Sequence, residues 1–349
     1  MLNENHPLPA DDLDEIFRSL PDFWPGLAGK RIFVTGGTGF LGSWLTESLL
    51  LANRRLGLKV ELHLLSRDPV GFLRRRPHLA GDPSIKIWPG DVRDFDLPDG
   101  EFSLVIHAAA DATRGRGRTP AEILGRDQVD GTSRVLDLLE RCRPEGVLYV
   151  SSGAVYGTQP SELGHMTEAQ PCALDPNSDR AGYGLAKLHS EHLLAQHANR
   201  VGYRLTVARC FAFAGPLLPL NGPFAIGNFV RDALTHGEIR VEGDGTAVRS
   251  YLYAADLATW LWTMLWRASA GSVYNVGGDS AIDMYTLAQR VADLLCAKRV
   301  TLAGAVNPPQ PPSRYVPCVD KARRDLHVSA TFDLDDAIRR HGAWLMSGK

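Results

Sequence analysis

Three side chains in the middle of the chain have the types and the order needed for proton transfer to an oxygen. Ser152 ends an apolar run within Tyr149 to Gly157, and Tyr183 and Lys187 lie four residues apart on a segment with helical periodicity. Residues four apart share one helix face, so the ammonium is expected beside the phenol, where it would lower the tyrosine pKa. Such a phenol can exchange a proton with a carbinol or carbonyl oxygen that Ser152 also holds. By itself the Y-x-x-x-K spacing is more often a surface pair, so the neighbouring motifs decide.

A glycine-rich loop near the N-terminus supplies the partner for this chemistry. The apolar run Arg31 to Thr35 leads into glycines 36, 39 and 42, and an amphipathic segment follows. The first glycine permits a turn, the second lets backbone N–H groups approach a pyrophosphate, and the third lets the helix lie close to the sheet. The G-x-x-G-x-x-G spacing is typical of short-chain dehydrogenases. We predict that this loop binds a nicotinamide dinucleotide through residues Gly36, Thr38, Gly39, Phe40, Leu41 and Gly42.

Strands and helices alternate along the region that must position these residues. Strands are predicted at 31–35, 59–65, 85–89, 103–107, 147–151 and 204–209, and helices at about 40–52, 121–141 and 182–200. The alternation predicts an α/β fold with a Rossmann-type, doubly wound parallel sheet. After Gly215 the pattern changes to loops, short helices and isolated strands, which indicates a smaller substrate-binding lobe. We therefore expect an N-terminal extension (1–29, with a short helix at 11–20), a dinucleotide-binding domain (30–210) and a mainly substrate-binding lobe (211–349) that returns in part to the core.

Composition excludes several classes of function. The chain has 349 residues with 44% hydrophobic residues and a net charge of −2, which favours neither a nucleic-acid nor a membrane partner. Its five cysteines have no C-x-x-C spacing, so we expect reduced thiols and no metal site. The apolar stretch from Leu257 to Trp266 is too short to span a bilayer and predicts a buried helix. With no signal-peptide pattern at the N-terminus, a cytoplasmic protein is expected.

Further motifs extend the pattern across the chain. They are Gly90-Asp91-Val92, His107-Ala108-Ala109-Ala110, Gly131-Thr132, Arg209 with Gly215-Pro216, and Arg249-Ser250-Tyr251 followed by Asp256. With the glycine loop and the Ser152, Tyr183 and Lys187 set, they resemble the extended short-chain dehydrogenase/reductase family over residues 31–335. The likeness is to its nucleotide-sugar epimerase, dehydratase and reductase branch. The resemblance implies a Rossmann domain that binds NAD(H) or NADP(H), and a lobe that binds a nucleoside-diphosphate sugar.

The same resemblance implies roles for individual residues. Ser152, Tyr183 and Lys187 match the family's catalytic triad, and Tyr183 and Lys187 also contact the cofactor. Asp91 and Val92 stand where relatives contact the adenine, and Ala108, Ala109 and Ala110 border the cofactor. Arg249 matches an arginine that binds the substrate diphosphate, and Arg314 stands where a second one is usual, since paired guanidiniums suit a diphosphate. The alternative is that either arginine is an ordinary surface residue.

Two positions depart from the dehydratase and decarboxylase patterns. Dehydratases of this branch carry an Asp-Glu pair just after the catalytic hydroxyl, where this chain has Gly153 and Ala154. Without these acids, elimination of water across C5–C6 is not expected, and Ala154 also counts against decarboxylation. Gln128 and Ala212 replace expected asparagines, which leaves polar contacts on the nicotinamide and substrate sides open.

The end of the second strand bears on cofactor choice. NAD-specific relatives place an acid on the adenine ribose there, whereas this chain has Ser66 and Arg67, and an arginine can pair with a 2′-phosphate. NADP(H) is therefore favoured, with NAD(H) possible if Asp68 contacts the ribose or Arg67 only faces solvent. The loop from Thr113 to Arg118 carries three arginines that either reach phosphates or form a solvated surface.

These observations leave three hypotheses for the function. The leading one is a nucleotide-sugar oxidoreductase acting at C4, with a preference for a 4-ketoreductase of an NDP-4-keto-6-deoxyhexose because NADPH is the cellular reductant. A 4-epimerase is the alternative with the same machinery, and a non-catalytic cofactor-binding Rossmann protein is a distant third. We also expect a homodimer through the helices near 121–141 and 182–200, because Ile123, Leu124, Val135, Leu138 and Leu139 exceed what one face against the sheet needs.

Overall fold

The computed structural model describes residues 2, 4–110, 121–178, 181–304 and 312–347. Its helices are α1 to α10 in chain order: Ala10–Ser19, Phe40–Leu56, Pro69–Arg75, Ala121–Cys142, Ala181–Val201, Ala225–Thr235, Ala254–Arg267, Met284–Leu295, Asp320–Leu326 and Leu334–Met346. Its strands are β1 to β14: Arg31–Thr35, Glu61–Ser66, Ile85–Pro89, Leu104–His107, Gly146–Ser152, Arg204–Cys210, Phe213–Ala214, Glu238–Val241, Val248–Arg249, Leu252–Tyr253, Ser272–Val276, Ile282–Asp283, Arg299–Leu302 and Arg314–Tyr315. The helices and strands predicted from the sequence all form, with bounds that shift by at most four residues.

The main sheet has seven parallel strands in the order β11-β6-β5-β4-β1-β2-β3. The strand order reverses between β1 and β4, and their carboxyl ends diverge there into separate loops. Ligands of doubly wound sheets bind at this kind of reversal. The predicted Rossmann-type α/β fold is confirmed, and β11 shows that the C-terminal third contributes a strand to the core. The three domain boundaries stay a prediction.

Helices cover both faces of this sheet and bury two apolar clusters. The strands carry nearly continuous apolar side chains, as expected for parallel strands buried on both sides. One face packs against α2 and α7, and the other packs against α4 and α5. Helix α7 is the buried helix predicted for 257–266. Among the described residues, no helix is both long and apolar enough to cross a bilayer. Cytoplasmic localisation stays a prediction.

The N-terminal extension packs on the main body. Leu13, Ile16 and Leu20 of the α1 region are buried against α2 and α7. Asp12 is fully buried and accepts hydrogen bonds from the hydroxyl of Tyr253 (2.5 Å) and from the guanidinium of Arg340. A buried carboxylate with two such donors fixes the helix in one place. Helix α1 therefore explains why α2 is buried on nearly all its faces.

The segment after β6, where the sequence predicts a substrate-binding lobe, contains several very short strands. Strands β12, β9 and β14 form a three-stranded sheet, in which β9 is paired antiparallel to β12 and parallel to β14. Strands β10 and β7 form a separate pair, as do β13 and β8. These small sheets join segments that are far apart in the sequence and bring them to the carboxyl edge of the main sheet.

Candidate functional site

The glycine loop leaves β1 beside the end of β4 and allows no side chain at two of its positions. Gly36 has a φ of +74°, and a Cβ on it would lie 2.6 Å from the backbone of Ala108. A Cβ on Gly42 would lie 2.3 Å from the carbonyl oxygen of Gly36. Gly39 has ordinary extended backbone, and a Cβ there would lie 3.4 Å from the nearest atom. The first and third glycines are therefore required by packing alone.

The amino end of α2 suits a phosphate. Gly39 is the residue that caps the helix and has no side chain to accept from the first-turn N–H groups. Such N–H groups and the helix dipole attract anions. Thr38, Phe40 and Leu41 are partly exposed around this point. Across the loop, Ala109 N–H donates to Thr35 Oγ1 (3.1 Å), which holds the Ala108–Ala110 segment against β1. The residues present therefore fit a dinucleotide pyrophosphate.

The carboxyl end of β2 gives no clear preference for a 2′-phosphate. Ser66 is buried and its Oγ accepts from the N–H of Asp68 (3.2 Å). Asp68 caps α3 by accepting from Gly71 N–H (2.9 Å), so its carboxylate is engaged away from a ribose. Arg67 is exposed, and its charge helps to lower the pKa of Asp91. Arg67 thus lies near the predicted adenine site, next to a carboxylate that also attracts it.

Asp91 and Val92, the predicted adenine contacts, follow β3 at the same edge. The Arg93 guanidinium donates to the Asp91 carboxylate at 2.8 Å, and this hydrogen bond is the main reason that the pKa of Asp91 is lowered. Arg93 also reaches Asp127 on α4 (2.9 Å). Val92 packs against Gly131, where a Cβ would lie 2.9 Å from its methyl group. The predicted cofactor residues on β1, β2, β3 and β4 therefore line one continuous edge of the sheet.

Ser152 and Tyr183 meet at the end of β5. The Ser152 hydroxyl oxygen accepts from Ala154 N–H (3.1 Å), and the nearby Ser152 hydroxyl favours a lower pKa of Tyr183. Burial outweighs that effect and raises the pKa of Tyr183 to about 12. The expectation that Lys187 brings the pKa of Tyr183 below its ordinary value is therefore wrong when the protein groups alone are considered. The free-energy cost of removing a phenolate from water exceeds the favourable interaction with the Lys187 ammonium, whose nitrogen lies 5.9 Å from the Tyr183 ring centroid.

Lys187 is fully buried one turn beyond Tyr183. Its Nζ donates to the carbonyl oxygen of Val150 (2.8 Å) and lies 4.9 Å from the ring centroid of Tyr149. Burial lowers the pKa of Lys187 to about 8. The lysine is thus held on the strand side of the site, within reach of the space beside Tyr183, as the four-residue spacing predicts.

Two buried polar networks support this site from behind. In one, the His107 ring contacts Thr35 Oγ1 (2.8 Å) and Thr132 Oγ1 (3.2 Å). The Thr132 hydroxyl lies 2.9 Å from Ser190 Oγ. Burial lowers the pKa of His107 to about 3, so the ring is neutral. This network ties β1, β4, α4 and α5 together at the level of the predicted site, and satisfied buried networks of this kind favour one arrangement.

The second network is an ion pair that the motif analysis did not find. Glu191 of α5 pairs with Arg209 of β6 (2.8 Å), and both are buried. Ser151 Oγ donates to the same carboxylate (2.5 Å), and the Arg209 guanidinium lies 4.8 Å from the ring centroid of Tyr156. Since Ser151 immediately precedes Ser152, the pair fixes the end of β5. Glu191 stands eight residues after Tyr183, and only the helical period of α5 links the two.

On the substrate side, Gly153 sits in a fully occupied place. A Cβ on Gly153 would lie 2.7 Å from the ring of Phe211 and 2.8 Å from the hydroxyl of Tyr315. This chain therefore lacks the acidic side chains that dehydratases carry at these two positions, and at residue 153 it also lacks the space for one. Sequence reasoning missed Tyr315, because its place beside Ser152 comes from pairing between β14 and β9 and has no local signal.

The two predicted diphosphate arginines lie on neighbouring strands. Tyr315 is paired with Arg249, so the backbone register places these two residues on the same face. Arg314 donates to the carbonyl oxygen of Gly164 (3.3 Å). The Arg249 guanidinium donates to the carbonyl oxygen of Ser313, the residue before Arg314 (2.9 Å). Binding of one diphosphate by both guanidiniums stays a prediction.

Some of the apolar residues on which the predicted dimer rests are buried within the single chain. Val135, Leu138 and Leu139 of α4 are fully buried in the core cluster between the sheet, α4 and α5. They are needed within one chain, so they do not indicate a partner. The side chains of Ile123 and Leu124, and the basic loop from Thr113 to Arg118, lie outside the described residues.

Comparison with known proteins places this geometry in a family. The model of the NAD dependent epimerase/dehydratase family matches residues 32–277. A curated relative from Sinorhizobium fredii, named "Probable dTDP-glucose 4,6-dehydratase", is 27% identical over 343 residues, covering 90% of this chain and 93% of that protein.

Solved structures share the fold over nearly the whole chain. The dTDP-glucose 4,6-dehydratase DesIV from Streptomyces venezuelae, with NAD bound, is 25% identical with a TM-score of 0.74, covering 90% of this chain and 96% of its own. A UDP-N-acetylglucosamine 4-epimerase from Methanobrevibacter ruminantium is 20% identical with a TM-score of 0.77, covering 92% and 100%. At that identity the second likeness shows the fold only. None of these comparisons supports the expected preference for NADP(H).

Proposed function

This chain belongs to the NAD-dependent epimerase/dehydratase family and is therefore an enzyme, and from that premise we propose that it is a nucleotide-sugar 4-epimerase. The observation that carries the proposal is the combination of a complete Ser152, Tyr183 and Lys187 set with Gly153 in a place that holds no acid. The set suits oxidation and reduction at C4. The missing acids remove the group that would expel a hydroxyl from C6.

The nicotinamide cofactor supplies hydride acceptance from C4 and hydride return to it. In the proposed mechanism the chain's own residues handle the proton and the oxygen. Ser152 donates a hydrogen bond to the C4 oxygen, and Tyr183 removes its proton and later gives it back. With its pKa near 12, Tyr183 needs a positive charge beside it to act as a base, and two sources exist: Lys187 and the positively charged oxidised nicotinamide ring.

Arg249 is proposed to bind the substrate diphosphate. It lies on β9, the strand paired with β14. Burial raises the pKa of Tyr315 beside Ser152, and the charge of Arg249 is near enough to oppose part of that rise. A guanidinium there can hold a diphosphate while the hexose reaches the Ser152 hydroxyl. Arg314 on the neighbouring strand β14 stays the predicted second contact.

A 4-ketoreductase is the second candidate, favoured by Ser66 and Arg67. A reductase consumes one NAD(P)H per turnover and must exchange its cofactor, so a 2′-phosphate contact by Arg67 would serve it. The relatives' bound cofactor is NAD, as in DesIV, which places the epimerase first.

One experiment separates these reactions from the elimination that many relatives are named for. The protein is incubated in D₂O with NAD and a panel of UDP- and dTDP-hexoses, and the sugars are followed by proton NMR. Epimerisation predicts inversion at C4 without deuterium in the sugar, because the same hydrogen leaves and returns. Incorporation of solvent deuterium at C5 would contradict the proposal and indicate elimination. A panel of 4-keto-6-deoxy sugars with NADPH tests the reductase by loss of absorbance at 340 nm.

A homodimer through α4 and α5 is also proposed. The contact would use the outer side of α5, where the side chain of Leu185 is 37% exposed. Sedimentation at micromolar concentration is the test, and a single monomeric species would remove the idea.

A further inference from the structure

Tyr315 connects the substrate-side sheet to the end of the catalytic strand. It belongs to the two-residue strand β14, and its hydroxyl donates to the carbonyl oxygen of Cys210 at the end of β6 (3.3 Å). The same hydroxyl lies 3.5 Å from Ser152 Oγ. Its ring is tilted against Phe211, with 4.5 Å between centroids. The phenol of Tyr315 thus lies beside the predicted catalytic serine, although the two residues are 163 positions apart in the sequence.

The hydrogen-bond inventory of Ser152 shows what this neighbour does. A serine hydroxyl has one hydrogen to donate and two lone pairs to accept with. One lone pair takes the N–H of Ala154 (3.1 Å), and the Tyr315 hydroxyl stands on another side at 3.5 Å. The serine hydroxyl therefore has two partners within the chain, a backbone N–H on its own segment and a phenol from β14.

Tyr315 also decides what residue 153 can be. Its hydroxyl and the Phe211 ring lie 2.8 and 2.7 Å from where a Cβ of residue 153 would stand, closer than Cβ atoms approach other groups. Both rings come from other segments of the chain, and with both in place residue 153 has room only for glycine. The space next to the serine that an acid fills in dehydratases is filled here by a neutral phenol.

Resting on the proposed function, we propose that Tyr315 is a positioning residue. With substrate bound, its hydroxyl turns from the carbonyl oxygen of Cys210 to donate to Ser152 Oγ, which leaves the single serine hydrogen for the reacting oxygen. It also closes the space beside Gly153, which confines the site to redox chemistry at C4. Because Tyr315 is paired with Arg249 across β14 and β9, the strand proposed to bind the diphosphate lies directly beside the strand that positions the serine. The substrate class this favours is a nucleoside-diphosphate hexose whose C4 hydroxyl reacts without loss of a neighbouring group.

The first test is a kinetic double-mutant cycle with Tyr315→Phe and Ser152→Ala. Alone, Tyr315→Phe is expected to lower kcat about 5- to 20-fold, with KM for the nucleotide sugar changed less than about twofold. In the Ser152→Ala background the same change should alter kcat less than about twofold, because the hydroxyl it acts through is gone. Equal losses in both backgrounds would mean a merely structural role and overturn the proposal.

Tyr203→Phe is the matched control. Tyr203 is buried, and its hydroxyl donates to the carbonyl oxygen of Leu194 (3.2 Å), much as Tyr315 donates to that of Cys210. It directly precedes β6, at the opposite end of the strand from the site. Its loss should leave kcat and KM at wild-type values. A kcat loss equal to that of Tyr315→Phe would show that removing any buried hydroxyl slows the enzyme.

The second test needs no activity. Gly153→Ala is introduced into the wild type and into Tyr315→Ala, and Tm is measured for all four proteins. The Tm loss caused by Gly153→Ala should be smaller without Tyr315, because one of two colliding side chains is absent. Equal Tm losses would show that Tyr315 does not close this space. If the wild type acts on no sugar of the panel, the proposed function fails and this thermal cycle alone decides the inference.

Discussion

The cofactor edge and the substrate edge of this molecule are built in different ways. At the cofactor edge, the loop from Gly36 to Gly42 is seven consecutive residues, and its shape depends on backbone atoms of β1, α2 and the segment after β4. At the substrate edge, Ser152, Arg249 and Tyr315 come from three strands, and Ser152 and Tyr315 are 163 residues apart in the sequence. Arg249 and Tyr315 are joined by a two-residue pairing.

This difference explains where change is tolerated. A loop made of backbone contacts accepts no side chain at its close positions, whatever the substrate is. An edge made of side chains on short strands can exchange one group for another, as the phenol of Tyr315 stands where an acid would otherwise be. We therefore expect the cofactor edge to be common to the family and the substrate edge to determine the individual reaction.

The largest effect is expected from Tyr183→Phe at the junction of the two edges. It should abolish turnover while the cofactor still binds, since only the transferable proton is removed. Ser152→Ala should cost about a hundredfold, the scale of one lost oxyanion donor. Turnover and cofactor titration on both variants give the comparison. Near-normal rates for Tyr183→Phe would contradict the assigned mechanism.

The backbone character of the cofactor edge is tested by Gly42→Ala against Gly39→Ala. A Cβ at 42 meets the carbonyl of Gly36 at 2.3 Å, whereas one at 39 meets it at 3.4 Å. We expect Gly42→Ala to lose several kcal/mol of stability, in the range of overpacking at sites that cannot yield, together with cofactor binding. Gly39→Ala should cost about 1 kcal/mol or less. Urea unfolding measures both, and similar losses would show that the loop can open.

Side chains decide only one property of the cofactor edge, the choice between NAD(H) and NADP(H). If the Arg67 guanidinium binds a 2′-phosphate, it should contribute about 1.5–3 kcal/mol, or roughly ten- to a hundredfold preference for NADP(H). Ser66→Asp with Arg67→Ala should then reverse the preference, which titration of both cofactors measures. Tighter binding of NAD(H) by the wild type would remove the reductase candidate and leave the epimerase.

The smallest expected effect concerns the stability of the substrate edge and its pH dependence. Burial lowers the pKa of Lys187 from 10.5 to about 8, so the unfolded chain binds more protons than the folded one between these values. The charged lysine therefore costs stability below about pH 8, and wild-type stability rises as pH increases toward 10. Lys187→Met should lose activity and weaken cofactor binding, because the family's lysine also contacts the nicotinamide ribose.

The same variant should nevertheless be more stable than the wild type at pH 7, by up to about 2 kcal/mol after the lost hydrogen bond to Val150 is counted. The difference should shrink between pH 8 and 10. Chemical unfolding at pH 7, 8.5 and 10 measures it. A difference that is constant with pH would mean that burial of the charge is not its cause.

Much of the cofactor edge could be read from the sequence because its physics is local. A glycine that must turn off a strand, or lie against a helix, is required by atoms a few residues away or on the next strand, and the alternation of strands and helices fixes which strand that is. The spacing of Tyr183 and Lys187 was likewise sufficient to place both on one face of α5, since a helix has only one period.

The tertiary structure alone decided the rest. The pKa of Tyr183 is raised, against the expectation from Lys187, because desolvation depends on everything packed around the phenol and not on its sequence neighbour. The pairing of Arg249 with Tyr315 depends on the register of two short strands. The place of Tyr315 beside Ser152 depends on a pairing across 163 residues. Sequence determined the elements and the backbone loop, which follow from local geometry, while long-range packing decided charge and specificity.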